Sequence, residues 1–312
     1  MSPDPFFRND VDFEGHLETG FCEMCPEASR GGFCGVRIQP DCLRIGTNGV
    51  VRVSLSATAS AWFGMLTQLG DVLHLSRNAV SVLAQQGQMP LLEDWRNAAL
   101  PGDKFGLFIP NLAEYASLWA VREASQAGVL HGLEVQDVSG LPFQRVLLSA
   151  SADRELFEQF VTMHQSPPEE AGDWFPPNLA LSAGRRAGLA RRIPWLRSRL
   201  AKGAKNVRLL PIAVVSKLLG AVANANFPIR TTQFHRALIR SVIWKPQAHE
   251  ETEPHASTSE FFHSDDVGLH LNLRSVGSVW LWMGKCACCA NRRWSVEVAD
   301  ANDQINLAIM AG

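Results

Sequence analysis

Apolar and polar residues along this chain fall into runs of two periods. Val51-Arg52-Val53-Ser54-Leu55 places every second residue on an apolar face, the pattern of a half-buried strand. Residues 57–69 change to helical spacing, with Ala61, Met65 and Leu69 four positions apart and Phe63 alongside. Strands are then expected over 71–75 and 79–83, with Arg77-Asn78 as the turn between them. A short apolar strand is expected over 104–110. A three-strand meander follows over 117–123, 131–137 and 143–148, with Gly128 and the run 137–140 as its turns. An amphipathic helix over 151–163 closes this half, and Asp153 near its start can cap free amides.

The second half repeats the order. A basic helical segment over 178–200, interrupted at Pro194, leads to a cleaner helix over 214–225 with Val214, Leu218 and Val222 on one face. Strands are expected over 229–234 and 238–244, a polar loop over 249–259, and four more strands over 267–273, 278–283, 294–300 and 305–310. Residues 1–40 carry Gly, Pro and Cys without periodicity and read as an irregular lead-in. Residues 165–177, rich in Pro and Glu, read as a linker, so the two units are 41–164 and 178–312.

Both units end alike. Ser117-Leu118-Trp119, then Leu133-Glu134-Val135-Gln136-Asp137, has its match in Ser278-Val279-Trp280, then Val296-Glu297-Val298-Ala299-Asp300, at an offset of about 160 residues. The Trp and Asp anchors fall in step. The pattern therefore predicts an α+β protein of two tandem, structurally similar halves, each an antiparallel sheet with helices packed on one side.

Composition narrows the functional classes. The chain of 312 residues is 46% hydrophobic and 19% charged with a formal net charge of -2, an ordinary globular balance. Near-neutral charge argues against a non-specific nucleic-acid binder, which needs a basic surplus. No run of about 18 apolar residues is present, so no membrane span is expected. The first residues show no basic and then apolar leader, and the seven cysteines are expected as free thiols of a reducing compartment, the cytoplasm. Phosphate-binding glycine loops, a zinc-protease HExxH and a GxSxG elbow are all missing from the sequence.

Residues 69–78, LGDVLHLSRN, resemble the segment LGEVMALTRN of the HemS/ChuS-type hemin-degrading or haem-transport factors. Residues 133–148 resemble that family's LQFFDxxGxAVHKVYL, 267–273 its FNLHLR, and 280–312 its closing strands; the similarity runs from about 42 to 312. The resemblance implies two tandem repeats and haem as the ligand. It also implies a cytoplasmic role in iron and haem utilisation, as a carrier or as an enzyme that opens the porphyrin ring with reductant. A member that has lost haem is the remaining alternative. The implied partners are haem and a haem-uptake transporter or other cytoplasmic haem proteins.

Departures from the family pattern fall on the iron contacts. The family's axial His position is Asn178 here, and an amide nitrogen has no available lone pair for iron. The family's opposing Arg has no counterpart in the shortened stretch 111–116. Two positions that hold haem propionates in the family survive as Arg191 and Lys285, where cations pair with carboxylates. Arg191 also reads as one of several surface arginines on a basic helix. The expected cleft is formed by the 178–191 helix, the closing sheet of the second half and residues 107–116. At the chain's end Ala311 stands where the family has Tyr.

Other ligating residues carry weaker signals. Cys22, Cys25, Cys34 and Cys42 offer four thiols at irregular spacing, and Cys286, Cys288 and Cys289 cluster in one loop. His263 with Asp265 and Asp266 reads more readily as loop polarity than as a metal site, and His270 as structural. His249, His255 and His263 lie around the polar loop as candidates for iron that the sequence does not rank, and His235 follows a strand where the resembled family has an Asn in a tight turn. No bound metal is expected from these residues.

Overall fold

Strand-forming runs dominate the architecture, and the helices sit where the spacing changes. The computed structural model describes residues 50–89, 107–110, 114–125, 128–137, 140–166, 207–247, 259–285, 292–302 and 304–311. The first half contains β1 (Val50–Leu55), α1 (Ala59–Leu66), β2 (Asp71–Arg77), β3 (Ser81–Gln88), β4 (Leu107–Pro110), β5 (Tyr115–Ser125), β6 (Gly128–Asp137), β7 (Pro142–Leu148) and α2 (Arg154–His164). The second contains β8 (Val207–Leu210), α3 (Val214–Asn224), β9 (Ile229–His235), β10 (Leu238–Trp244), β11 (Ser259–His263), β12 (Val267–Asn272), β13 (Val276–Lys285), β14 (Arg292–Asp300) and β15 (Ile305–Ala311).

Local chemistry sets several boundaries. The first helix begins at residue 59 rather than 57, because Thr58 Oγ1 accepts from the Ala61 amide and caps it. Asp153 Oδ1 accepts from the Leu156 amide and caps α2, as expected. The turn between β2 and β3 is built by Asn78, whose Oδ1 accepts from the amides of Val80 and Ser81. Gly140, at φ 71°, supplies the left-handed residue of the turn between β6 and β7. Two edge strands, β8 and β11, escaped the sequence reading; both are short, at four and five residues. The helix expected over 178–200 lies outside the described residues.

The halves match in register as well as in order. One sheet runs β1-β5-β6-β7-β2-β3-β12-β11 and the other β4-β10-β9-β15-β14-β13-β8. Read from β8 inward, the second sheet repeats the first six strands: β8, β13, β14, β15, β9 and β10 stand for β1, β5, β6, β7, β2 and β3. Trp119 pairs with Glu134 and Trp280 with Glu297. Each indole donates to the Ser two residues earlier, Ser117 at 2.8 Å and Ser278 at 2.9 Å. Both meanders shift register at the start of their first strand, between Tyr115 and Ser117 and between Val276 and Ser278. Asp137 and Asp300 close equivalent turns, their Oδ1 atoms accepting from the amides of Leu141 and Gln304.

What the pattern did not announce is an exchange. β4 of the first half adds to β10, and β12 with β11 of the second half adds to β3. Each sheet is therefore completed by the other half, which protects strand edges that would otherwise stay open. The cores follow. α1 and α2 pack on the first sheet with Phe108 of β4 and Leu238 of β10 among their neighbours. α3 packs on the second sheet with Leu83, Leu269 and Leu271.

One buried carboxylate is held by a cluster of donors. On the face of the first sheet away from its helices, Glu134 is fully buried and accepts from Arg145 Nη2 at 2.7 Å and Nε at 2.9 Å. Arg52 Nε at 3.1 Å and Gln136 Nε2 at 3.0 Å bind its other oxygen. Burial pushes this carboxyl up; the Arg145 charge and the three side-chain hydrogen bonds outweigh that and hold it below the usual carboxylate range. Replacing Arg145 with Ala strands a buried charge and is expected to cost about 3–5 kcal/mol in a urea titration. Arg52→Ala, at the partly exposed end of the cluster, is expected to cost about 1 kcal/mol or less.

Candidate functional site

Among the described residues, the ends of the second half's meander lack the helix that covers those of the first half. In the first half α2 lies across the strand ends: Phe157, Phe160 and Val161 are buried, and the Phe157 ring stands 6.5 Å from that of His131. His131 is paired with Arg122, and the corresponding pair in the second half is Trp294 with Met283. No helix among the described residues lies over that pair. Met283 is 45% exposed and Trp294 only partly buried against the second core. One step further along, Gly284 pairs with Arg293 and Lys285 with Arg292. The β13–β14 end thus offers an apolar shelf next to three cationic positions in register.

Of the residues singled out from the sequence, Lys285 is placed by its backbone at this strand end. Asn178 and Arg191 lie outside the described residues, as do all seven cysteines, His249 and His255. Residues 107–110 of the stretch 107–116 do not stand beside Lys285 within the sheet. β4 is its first strand and β13 its sixth, five spacings of about 4.8 Å apart, or ~24 Å. β4 instead packs against the first half, with the Phe108 ring 5.2 Å from that of His74.

The remaining histidines and acids have local partners. His263 ends β11 and stacks on Phe261 with centroids 5.8 Å apart. Gln247 Nε2 donates to Asp265 at 3.1 Å, and Ser264 Oγ to Asp266 at 3.3 Å. His270 is half-buried, and its neighbours Leu269 and Leu271 enter the second core. Among the described residues no three His, Cys, Asp or Glu side chains converge as metal ligands.

Sequence reasoning missed a polar clasp between the halves. Arg236, in the β9–β10 turn, donates from Nη2 to Asp137 Oδ2 at 2.8 Å and lies with Nε 3.6 Å from Glu114 Oε2. His235 stacks on Phe143 at 4.9 Å, accepts from the Ala237 amide through Nδ1, and brings Nε2 to 3.8 Å from Asp137. Burial lowers the His235 pKa to about 4, Asp137 raising it and Arg236 lowering it further. The pseudo-equivalent clasp uses neutral donors in place of a cation: Asn78 Nδ2 donates to the carbonyls of Phe234 and Asn306, and Asn306 Nδ2 to Asp300. Only the repeated Asp turn was visible beforehand; nothing local pairs it with a loop of the other half. Asp137→Ala is expected to lower stability by about 2 kcal/mol through the lost charge-assisted bonds. Arg236→Ala, its guanidinium partly in water, is expected to cost about 1 kcal/mol or less, both read from denaturant midpoints.

Comparison with known proteins follows the same division of the chain. Residues 41–164 match the haemin-degrading HemS/ChuX domain. The fold is that of ChuS from E. coli, described as a heme oxygenase, with a TM-score of 0.65 at 12% identity, covering 84% of this chain and 83% of that one. It is equally that of PhuS, a heme-binding protein from Pseudomonas aeruginosa, in its holo form, with a TM-score of 0.62 at 17% identity, covering 84% and 81%. A search among curated protein sequences finds no match. Among the described residues no helix is long and apolar enough to cross a membrane.

Proposed function

We propose, taking residues 41–164 as a haemin-degrading HemS/ChuX domain, that this chain binds haem and carries it within the cytoplasm. The observation that carries the reading is the β13–β14 end, which no helix among the described residues covers. Met283 and Trp294 offer apolar surface there, beside the backbone positions of Lys285 and Arg292. A porphyrin needs that combination, an apolar surface for the ring and cations for its two carboxylates. In this reading Lys285 and Arg191 hold the propionates, and the two units are the repeats 41–164 and 178–312, joined by 165–177. Asn178 stands at the iron and contributes no axial bond.

Carriage is favoured over turnover by chemistry. Opening the ring requires the iron held on one face and open to a reactant on the other. Asn178 and the Arg-free stretch 111–116 supply neither hold, whereas propionate pairing and apolar contact retain haem without iron ligation. Reductant-dependent ring opening is the second reading, favoured by the description of the matched domain. A haem-uptake transporter or another cytoplasmic haem protein is the partner such a carrier requires.

Hemin titration of the purified protein tests the proposal. A Soret band that saturates at a one-to-one ratio is expected, with no loss of the band when reductant is added. Lys285→Ala is expected to weaken binding about tenfold, ~1.4 kcal/mol, with Lys285→Arg retaining most of it. Absence of a saturable band overturns haem binding; bleaching of the band by reductant and oxygen replaces carriage with turnover.

A further inference from the structure

A buried cation crosses the seam between the halves. Arg240 of β10 is 1% exposed and has no carboxylate partner among the described residues. Its Nη1 donates to the His74 carbonyl at 3.1 Å, Ser76 Oγ at 3.1 Å and the Leu83 carbonyl at 2.9 Å, and its Nη2 to Gln85 Oε1 at 3.2 Å. All four acceptors lie on β2 and β3 of the other half. Gln233 of β9 follows the same path, its Nε2 donating to the carbonyls of Ser76 and Ser81.

His74 lies under this contact. Its side chain is fully buried, and neither ring nitrogen has a hydrogen-bond partner among the described residues. Among the described residues, the groups around the ring are Gln85 on β3 and Val146 on β7, its register partners, with Phe108 on β4, Phe63 of α1 behind that Phe, and Arg240 on β10. Only Arg240 among these is charged. Glu134 and Arg145 belong to the opposite face of the sheet, since Arg145 pairs with Leu75. The ring is therefore tolerated as a neutral group and only as that.

We propose that this seam is an acid-opened joint: a neutral His74 keeps β2–β3 closed on β10 and β4, and a proton on its ring drives them apart. A second cation so close to Arg240, in a buried interior with no anion among the described residues around it, has no compensating partner there. Burial first, and the Arg240 charge second, hold the imidazole well below its ordinary proton affinity. The open or unfolded chain binds the proton near 6.5 while the closed one refuses it, so closure is fully stable above that pH and weakens as pH falls below it. His131, whose pKa burial lowers to about 4, and His235 act in the same direction on overall stability but do not touch this contact.

Amide hydrogen exchange on the haem-free protein between pH 7 and 5, corrected for intrinsic rates, tests the joint. Protection of 72–76 and 238–241 is expected to fall about tenfold per pH unit below 6.5, ahead of the β5–β6 amides. His74→Phe, which keeps a ring at that place, is expected to abolish the dependence, whereas His131→Asn is expected to leave it in place. A parallel fall in wild type and His74→Phe, or a loss spread equally over both sheets, overturns the proposal. If His74→Phe does not fold, NMR titration of the wild-type ring decides. A His74 ring that takes up its proton near 6.5 while the seam amides stay protected overturns it; a ring that stays neutral until those amides open supports it.

Discussion

Each half of this chain builds a six-strand antiparallel sheet that ends in an unpaired edge, and the edge is completed by strand from the other half. That reciprocal completion is the constraint on which the rest depends. It places the hairpin β2–β3 against β9–β10 and forces their inward polar groups to find partners across the seam. Arg240, Gln233 and Asn78 do this with backbone carbonyls of the opposite half. An unsatisfied group at any of these places costs more than the bond itself contributes, so the seam tolerates little variation.

On this symmetric frame the two halves have acquired different chemistry. The first half neutralises its buried Glu134 with Arg145, whereas the residue paired with Glu297 is Ala308. The first half's Asp turn meets a charged clasp through Arg236, the second's a neutral one through Asn306. A helix covers the first half's strand ends and leaves no shelf there, while Met283 and Trp294 remain accessible in the second. Among the described residues, a duplicated unit thus has one end packed under a helix and the other without one.

Much of this was legible from residue patterns. Strand alternation, the two capped helices, the Trp and Asp anchors and the two-half α+β class all follow from local sequence, because side-chain period and capping chemistry act within a few residues. Family resemblance over the first half was legible in the same way. The short edge strands β8 and β11 were not, since four or five residues carry too little periodicity to stand out from loop.

The sequence by itself determined the longer strands, which faces they bury and that the halves are alike. Tertiary structure alone decided which edges meet, that 107–110 belongs to the second half's sheet rather than beside Lys285, and that His74 and Arg240, 166 positions apart, share one dry seam. The reason is physical: pleat and helical period are local properties of the chain. Strand exchange and the pairing of buried charges depend on which surfaces find each other once the chain is closed, and that is not written in the spacing of neighbouring residues.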